Sequence, residues 1–186
     1  MLRLIKEHKR KKLLQSMQKQ QHFVIPNLKD VMTVGVLFAA NSQQAMEEAQ
    51  AVVSALEKLQ IPFCGAVVEA GKCFRNTAAR EEYVEFCNGH NIEFIPKASL
   101  DWVGKPADSA AAQFVGKHFN LFLALNNCNC FAVDYLTQLV DADCIVGMNN
   151  NSRMPYALVV EPASGEFSYS SYLNGLFDFL KNVNAC

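Results

Sequence analysis

The chain has 186 residues, 51% apolar and 19% charged, with a formal net charge of −1 at pH 7. Such a length suits one domain with an appendage, and such a composition suits a chain that buries a core, which excludes a disordered or low-complexity protein. No apolar run approaches the roughly 18–20 residues of a membrane span, so no transmembrane segment is expected.

The small net charge conceals two opposed parts. Residues 1–29 hold eight Lys or Arg against one acid, Glu7, a net of +7, while residues 30–186 hold nine basic residues against seventeen acids, a net of −8. We read residues 1–28 as a basic arm and residues 29–186 as a single domain. The arm is rich in helix formers and free of Gly and Pro until Pro26, which predicts a helix. At about 100° per residue, Lys6 falls between Leu2 and Met17 and Lys9 lies beside Leu2, so no clean apolar stripe forms, which argues against a helix lying in a membrane interface. Two readings of the arm stay open. It is a solvated appendage that docks loosely on its own acidic body or on a second copy as a homodimer. Alternatively, Lys9, Arg10, Lys11 and Lys12 meet an anionic partner: an acidic protein, a nucleic acid or a membrane surface. Arg3, Lys6 and Glu7 interrupt Leu2, Leu4 and Ile5, so a secretory leader is not expected and the location should be cytoplasmic.

From Val31 the pattern changes to strands alternating with helices. VMTVGVLFAA is a continuous apolar run, as in a strand buried on both faces. Asn41 or Ser42 can cap a helix whose apolar face is Met46, Ala49, Val52, Val53, Leu56 and Leu59. Residues 61–68 read as a second strand, ended by Gly71, and residues 77–87 as a helix stopped by Asn88-Gly89. Residues 92–95 form a third strand closed by Pro96. A loop follows, in which Asp101 could cap a turn, Gly104 permits an unusual backbone angle and Pro106 begins the next helix, over residues 109–117. Residues 119–125 are a fourth strand, 130–140 a helix, 143–147 a fifth strand, 156–160 a sixth, and a last helix starts near Ser168. This alternation predicts a three-layer, Rossmann-like α/β fold: a doubly wound, mostly parallel sheet of about six strands.

In such a sheet, ligands bind beyond the carboxyl ends of the strands. Three polar clusters are expected there: Asn41-Ser42 after strand one, Asn126-Asn127-Cys128 after strand four, and Asn149 with its neighbours after strand five. They could offer amides and hydroxyls to a sugar-like or anionic ligand. Equally, Asn and Ser are the preferred capping and turn residues and collect at such junctions for that reason alone. Cys128 sits between a strand end and a helix start, where the helix dipole would favour a thiolate. Trp102 is either an exposed aromatic contact or a plug at the end of the core. The seven cysteines make a poor disulfide framework, and His8, His22, His90 and His118 are scattered, so neither metal nor cofactor is expected. No G-x-G-x-x-G, G-x-x-x-x-G-K-[ST] or G-x-S-x-G occurs, which removes the dinucleotide, NTP-hydrolysis and hydrolase-elbow readings.

Several segments together carry a resemblance: the basic arm, Lys29-Asp30 running to Phe38, the D-W-V-G-K-P loop at residues 101–106, the F-N-L-F-L-A-L strand, and residues 142–147. The chain resembles an uncharacterised domain-of-unknown-function family of Bacteroidetes-type bacteria. Members often carry an acid where this chain has Asn126 and Asn127, and the resemblance implies no known activity. A fainter similarity, over residues 119–147, is to the N-terminal half of heptosyltransferase-like sugar transferases, and it implies fold more than function. The function expected is a non-catalytic, cytoplasmic partner-binding module that uses Lys9, Arg10, Lys11, Lys12 and Trp102. The alternative is a binder or transferase of a sugar or phosphorylated metabolite, using Asn41, Ser42, Asn126, Asn127, Cys128 and Asn149.

Overall fold

The computed structural model describes residues 2–17, 23–107, 109, 111–148, 154–162 and 167–183. In chain order the elements are α1 (Leu2–Met17), β1 (Val34–Ala40), α2 (Ala45–Glu57), β2 (Phe63–Glu69), α3 (Thr77–Gly89), β3 (Ile92–Ile95), α4 (Ala112–Val115), β4 (His118–Leu125), α5 (Phe131–Thr137), β5 (Asp141–Gly147), β6 (Leu158–Val159) and α6 (Tyr169–Lys181). The six strands pair in the order β3-β2-β1-β4-β5-β6, every pair parallel. The expected three-layer α/β architecture is therefore present, with an entirely parallel sheet rather than a mostly parallel one.

The apolar runs have the cause assigned to them. All seven residues of β1 are buried, because β1 has strands on both sides and helices over both faces. Its side chains alternate between two cores, as the pleat requires. Val34, Val36, Phe38 and Ala40 join α2, α3 and α6 in one core, while Leu37 and Ala39 join α1, α4 and α5 in the other. On the first face, Val52, Val53 and Leu56 of α2 meet Leu173, Leu176 and Leu180 of α6. Each fully buried aliphatic or aromatic side chain contributes about 1.5–3 kcal/mol.

The arm is not a loosely held appendage over its helical part. Leu14 is only 5% exposed and belongs to the second core, with Leu13 and Met17 packed against it. These residues share one side of α1, and that side was hidden in the sequence because Arg10 and Lys6 continue it toward the N-terminus. The chain then passes under the sheet, where Val24 N–H donates to Asp143 O at 3.3 Å. Asn27 donates to the carbonyls of Lys181 and Val183 at the end of α6. Residues 18–22 of the expected arm helix lie outside the described residues.

Other differences are local. The helix expected over residues 109–117 is confined to α4, because Pro106 pairs with Leu100 in an antiparallel bridge instead of opening a helix, and Gly116 closes the segment. Strand β5 starts at Asp141, earlier than apolarity suggests, since Asp141 and Ala142 pair with His118 and Phe119. Helix α2 starts at Ala45 with Gln44 at its N-cap. Ser42 contributes two residues earlier, accepting from Gln44 N–H at 3.1 Å and donating to Glu48 Oε1 at 2.9 Å.

Strand β1 passes close under aromatic rings of β4. A Cβ placed on Gly35 would lie 2.6 Å from Phe122 Cδ2 and 2.8 Å from Phe119 Cγ, whereas one placed on Gly89 would meet nothing within 4 Å. Gly35→Ala should therefore lower unfolding stability by about 1–3 kcal/mol, and Gly89→Ala should leave it unchanged or raise it. Urea unfolding midpoints of the two variants check this, and equal midpoints would contradict the packing described.

Candidate functional site

Strand order reverses between β1 and β4, and the loops leaving their carboxyl ends diverge there. A cavity of about 450 Å3 occupies this position. Asn41 lines it from the end of β1, Ala70 and Gly71 from the end of β2, and Lys97, Leu100, Asp101 and Gly104 from the loop after β3. Cys128, Asn129, Cys130, Phe131 and Ala132 close it after β4, and Lys6 and Arg10 of α1 form the remaining wall. The volume falls within the range of about 300–1,000 Å3 usual for small-ligand sites.

The D-W-V-G-K-P loop is built on Asp101. Its Oδ1 accepts the N–H groups of Val103, Gly104 and Lys105 at 2.8–2.9 Å, an anion held in a nest of backbone amides. Gly104 has φ +99°, which L side chains rarely adopt, and a Cβ there would also stand 3.0 Å from Arg10 Nη2. The loop thus presents Val103 O to Arg10 Nε at 2.7 Å. Arg10 is further fixed by Glu7 Oε1 at 3.0 Å and lies over the Phe131 ring at 5.0 Å. Its Nη2 has no hydrogen-bond partner among the described residues. Lys97 is placed by Glu69, the last residue of β2, whose Oε2 accepts Lys97 N–H at 3.0 Å. Burial works to raise the Glu69 carboxyl, but hydrogen bonds from Arg80 and from Lys97 N–H overcome it and hold the pKa below the usual value. Arg80 is the main partner of the Glu69 charge, the Lys97 ammonium adds a weaker attraction to it, and Lys97 also lines the cavity. Three cationic residues line this cavity with one carboxylate, Asp101, whose Oδ1 takes the three backbone amides, while Glu7 pairs with Arg10 beside it.

The turn after β4 is organised by Asn126, 4% exposed. Its Oδ1 accepts Cys130 N–H at 2.7 Å, and its Nδ2 donates to Cys130 O at 3.1 Å and Asp134 Oδ1 at 2.7 Å. Asn126 is thus used in shaping the turn. Asn129, with φ +54°, takes the left-handed position that Asn tolerates. Asn127 Oδ1 is buried without a partner among the described residues. Of the expected ligand-binding residues, Asn41 and Cys128 line the cavity, Ser42 bonds to Glu48, and Asn149 lies outside the described residues. Against the thiolate expected of Cys128 at a helix start stands its burial. Burial pushes Cys128 up to about 11, and the neighbouring Cys130 adds to the shift, so the thiol is protonated at neutral pH.

The expected partner-binding residues also divide. Arg10 turns inward, as above. Trp102 is 55% exposed, so it does not plug the core, and the Lys9 ammonium lies 4.7 Å from its ring centroid. Lys11 and Lys12 are exposed. Lys6, Lys97 and Gly71 were not anticipated. The one available signal was the spacing of Lys6 and Arg10, four apart and so on one side of a helix.

Beneath the turn, burial raises Asp134 to about 6, with the Asn126 amide opposing the shift. Since the folded-state value lies above the unfolded one, the folded state is penalised for this carboxylate above about pH 6, and the penalty vanishes as pH falls below the ordinary Asp value of 3.8. Asp134→Asn keeps an acceptor for Asn126. It should raise unfolding stability by about 3 kcal/mol at pH 7.5 and by far less near pH 4, as urea titrations at the two pH values would show. An equal gain at both would contradict the burial argument.

A search of curated proteins finds no match for this chain. The model of DUF6913, described as a family of unknown function, matches residues 3–182, a stretch reaching from α1 through all six strands to α6, and the chain belongs to that family.

Proposed function

We propose that the protein binds a small anionic metabolite, phosphorylated or carboxylated, in the cavity at the β1/β4 reversal. The observation that carries this reading is the convergence of Lys6 and Arg10 from α1 and Lys97 from the loop after β3 on one cavity. Charged donors held by other contacts lose little freedom on meeting an anion, and Arg10 is fixed by Val103 O, Glu7 and Phe131 before any ligand arrives. The guanidinium is suited to phosphate or carboxylate oxygens, and the lysines supply point charge. Asn41 and the turn after β4 would contact the uncharged part of the ligand.

The reading is of binding rather than catalysis. The Cys128 thiol is protonated, and Asp134 is tied to Asn126 beneath the turn. The first turn after β1 runs Asn41-Ser42-Gln43-Gln44, with no glycine to admit a pyrophosphate against the backbone, so a dinucleotide is the wrong class of ligand.

The test is a thermal-shift screen with inorganic phosphate, pyrophosphate, sugar phosphates and dicarboxylates. A ligand at one hundred times its Kd adds about 2.7 kcal/mol to native-state stability. At least one of these anions should raise the Tm of the unaltered chain, and the joint substitution Lys6→Ala and Lys97→Ala should remove most of that rise. Flat melting curves with all of them at millimolar concentration, or a rise unchanged in the double variant, would sink the proposal.

A further inference from the structure

The docked position of α1 sorts its residues in a way the helical projection alone did not. The side carrying Arg10, Leu13, Leu14 and Met17 is spent on the body. What remains outward grades along the helix axis, from a first turn that is apolar except for Arg3, past exposed Glu7 and His8, to a basic stretch behind it. Leu2, Leu4 and Ile5, at the N-terminal end, are 80%, 76% and 44% exposed. Lys11 and Lys12 follow on the same outward half, both exposed and without ion-pair partners among the described residues. Trp102 is brought alongside from the loop after β3, 55% exposed, with Lys9 over its ring.

We propose that this surface docks on an anionic lipid bilayer, with the first turn of α1 dipping into the headgroup region and the lysines behind it at the phosphates. Each component has a physical reason. Exposed aliphatic side chains at a helix tip gain by leaving water, which a purely electrostatic partner such as a nucleic acid would not provide. Tryptophan is favoured where apolar and wet regions meet. Lysines keep their ammonium groups in the headgroup layer while their stems lie along apolar surface. No described helix is long and apolar enough to cross a membrane, so the association is at the surface. The surface is separate from the cavity proposed above, which uses Lys6 and Arg10 on the neighbouring side of the same helix, and neither proposal depends on the other.

Trp102 is the sole tryptophan, so its fluorescence reports on this surface alone. The intact protein is titrated with vesicles of phosphatidylcholine and with vesicles of phosphatidylcholine mixed with phosphatidylglycerol. The expected result is a blue shift and co-sedimentation with the mixed vesicles, weakened by salt, and little with phosphatidylcholine alone. Lys11→Gln with Lys12→Gln should reduce partitioning roughly 30-fold, about fivefold per lysine. Ile5→Asp should abolish the blue shift, while its unfolding midpoint stays unchanged because the position is exposed. No shift with mixed vesicles overturns the proposal. So does a full shift in Ile5→Asp, or an equal, competing shift with duplex DNA, which would assign the surface to a nucleic acid.

Discussion

The governing constraint is a parallel sheet buried on both faces. Parallel neighbours can be joined only by crossovers, and crossovers of this kind are right-handed. The chain therefore spends one face on β1, β2 and β3, with α2 and α3 covering it. To place β4 against the free side of β1 it must return over the other face. That return parts the loops leaving β1 and β4, and it makes room at their carboxyl ends without any residue being chosen for the purpose. The cavity is first a consequence of topology. Its chemistry is then set by what the loops and α1 bring to it.

The two faces are unequally covered. Helices α2, α3 and α6 have 13 residues each, while α4 has 4 and α5 has 7. Leu13, Leu14 and Met17 of α1 add apolar cover to the thinner face. This explains how a strongly basic segment comes to lie against an acidic body: packing holds it, together with one deep contact from Arg10 to Val103 O. The same docking carries Lys6 and Arg10 to the strand ends. The stability of the second core and the charge of the cavity are thus linked through one helix.

The fold is legible in the sequence where one physical cause dominates. The continuous apolar runs at β1 and β4 had no other explanation than burial on both faces, and alternation with helices left few topologies. The loop at Asp101 and Gly104 was also legible, because an Asx-type turn and a positive φ both select for residue type. Reading failed where several causes share one segment. In α1 the core-facing Leu14, the bridging Arg10 and the outward Lys11 and Lys12 lie within five consecutive positions, so no single periodicity emerges. Lys97 was invisible because nothing local marks it, and its place depends on Glu69, 28 residues away. Strand β5 began early because hydrogen-bond pairing to β4, rather than apolarity, decides strand ends.

The Asn-rich junctions divide between lining the cavity, as Asn41 and Asn129 do, and shaping the turns beside it. Asn126 is at the right edge and the right strand, yet its amide is consumed by Cys130 and Asp134, which makes the turn possible. At Asn126 a nearby backbone and the Asp134 carboxylate meet the need of a buried amide for partners, whereas Asn127 Oδ1 has none among the described residues. Groups that remain open to a ligand are those whose own positions are settled by something else. Arg10 is held by Val103 O, Glu7 and the Phe131 face, which leaves its Nη2 toward the cavity, and the backbone of Lys97 is held by its bond to Glu69. In this fold the cationic side chains at the cavity come from α1 and the loop after β3, while Ser42 and Asn126, near the ends of β1 and β4, build the frame around it.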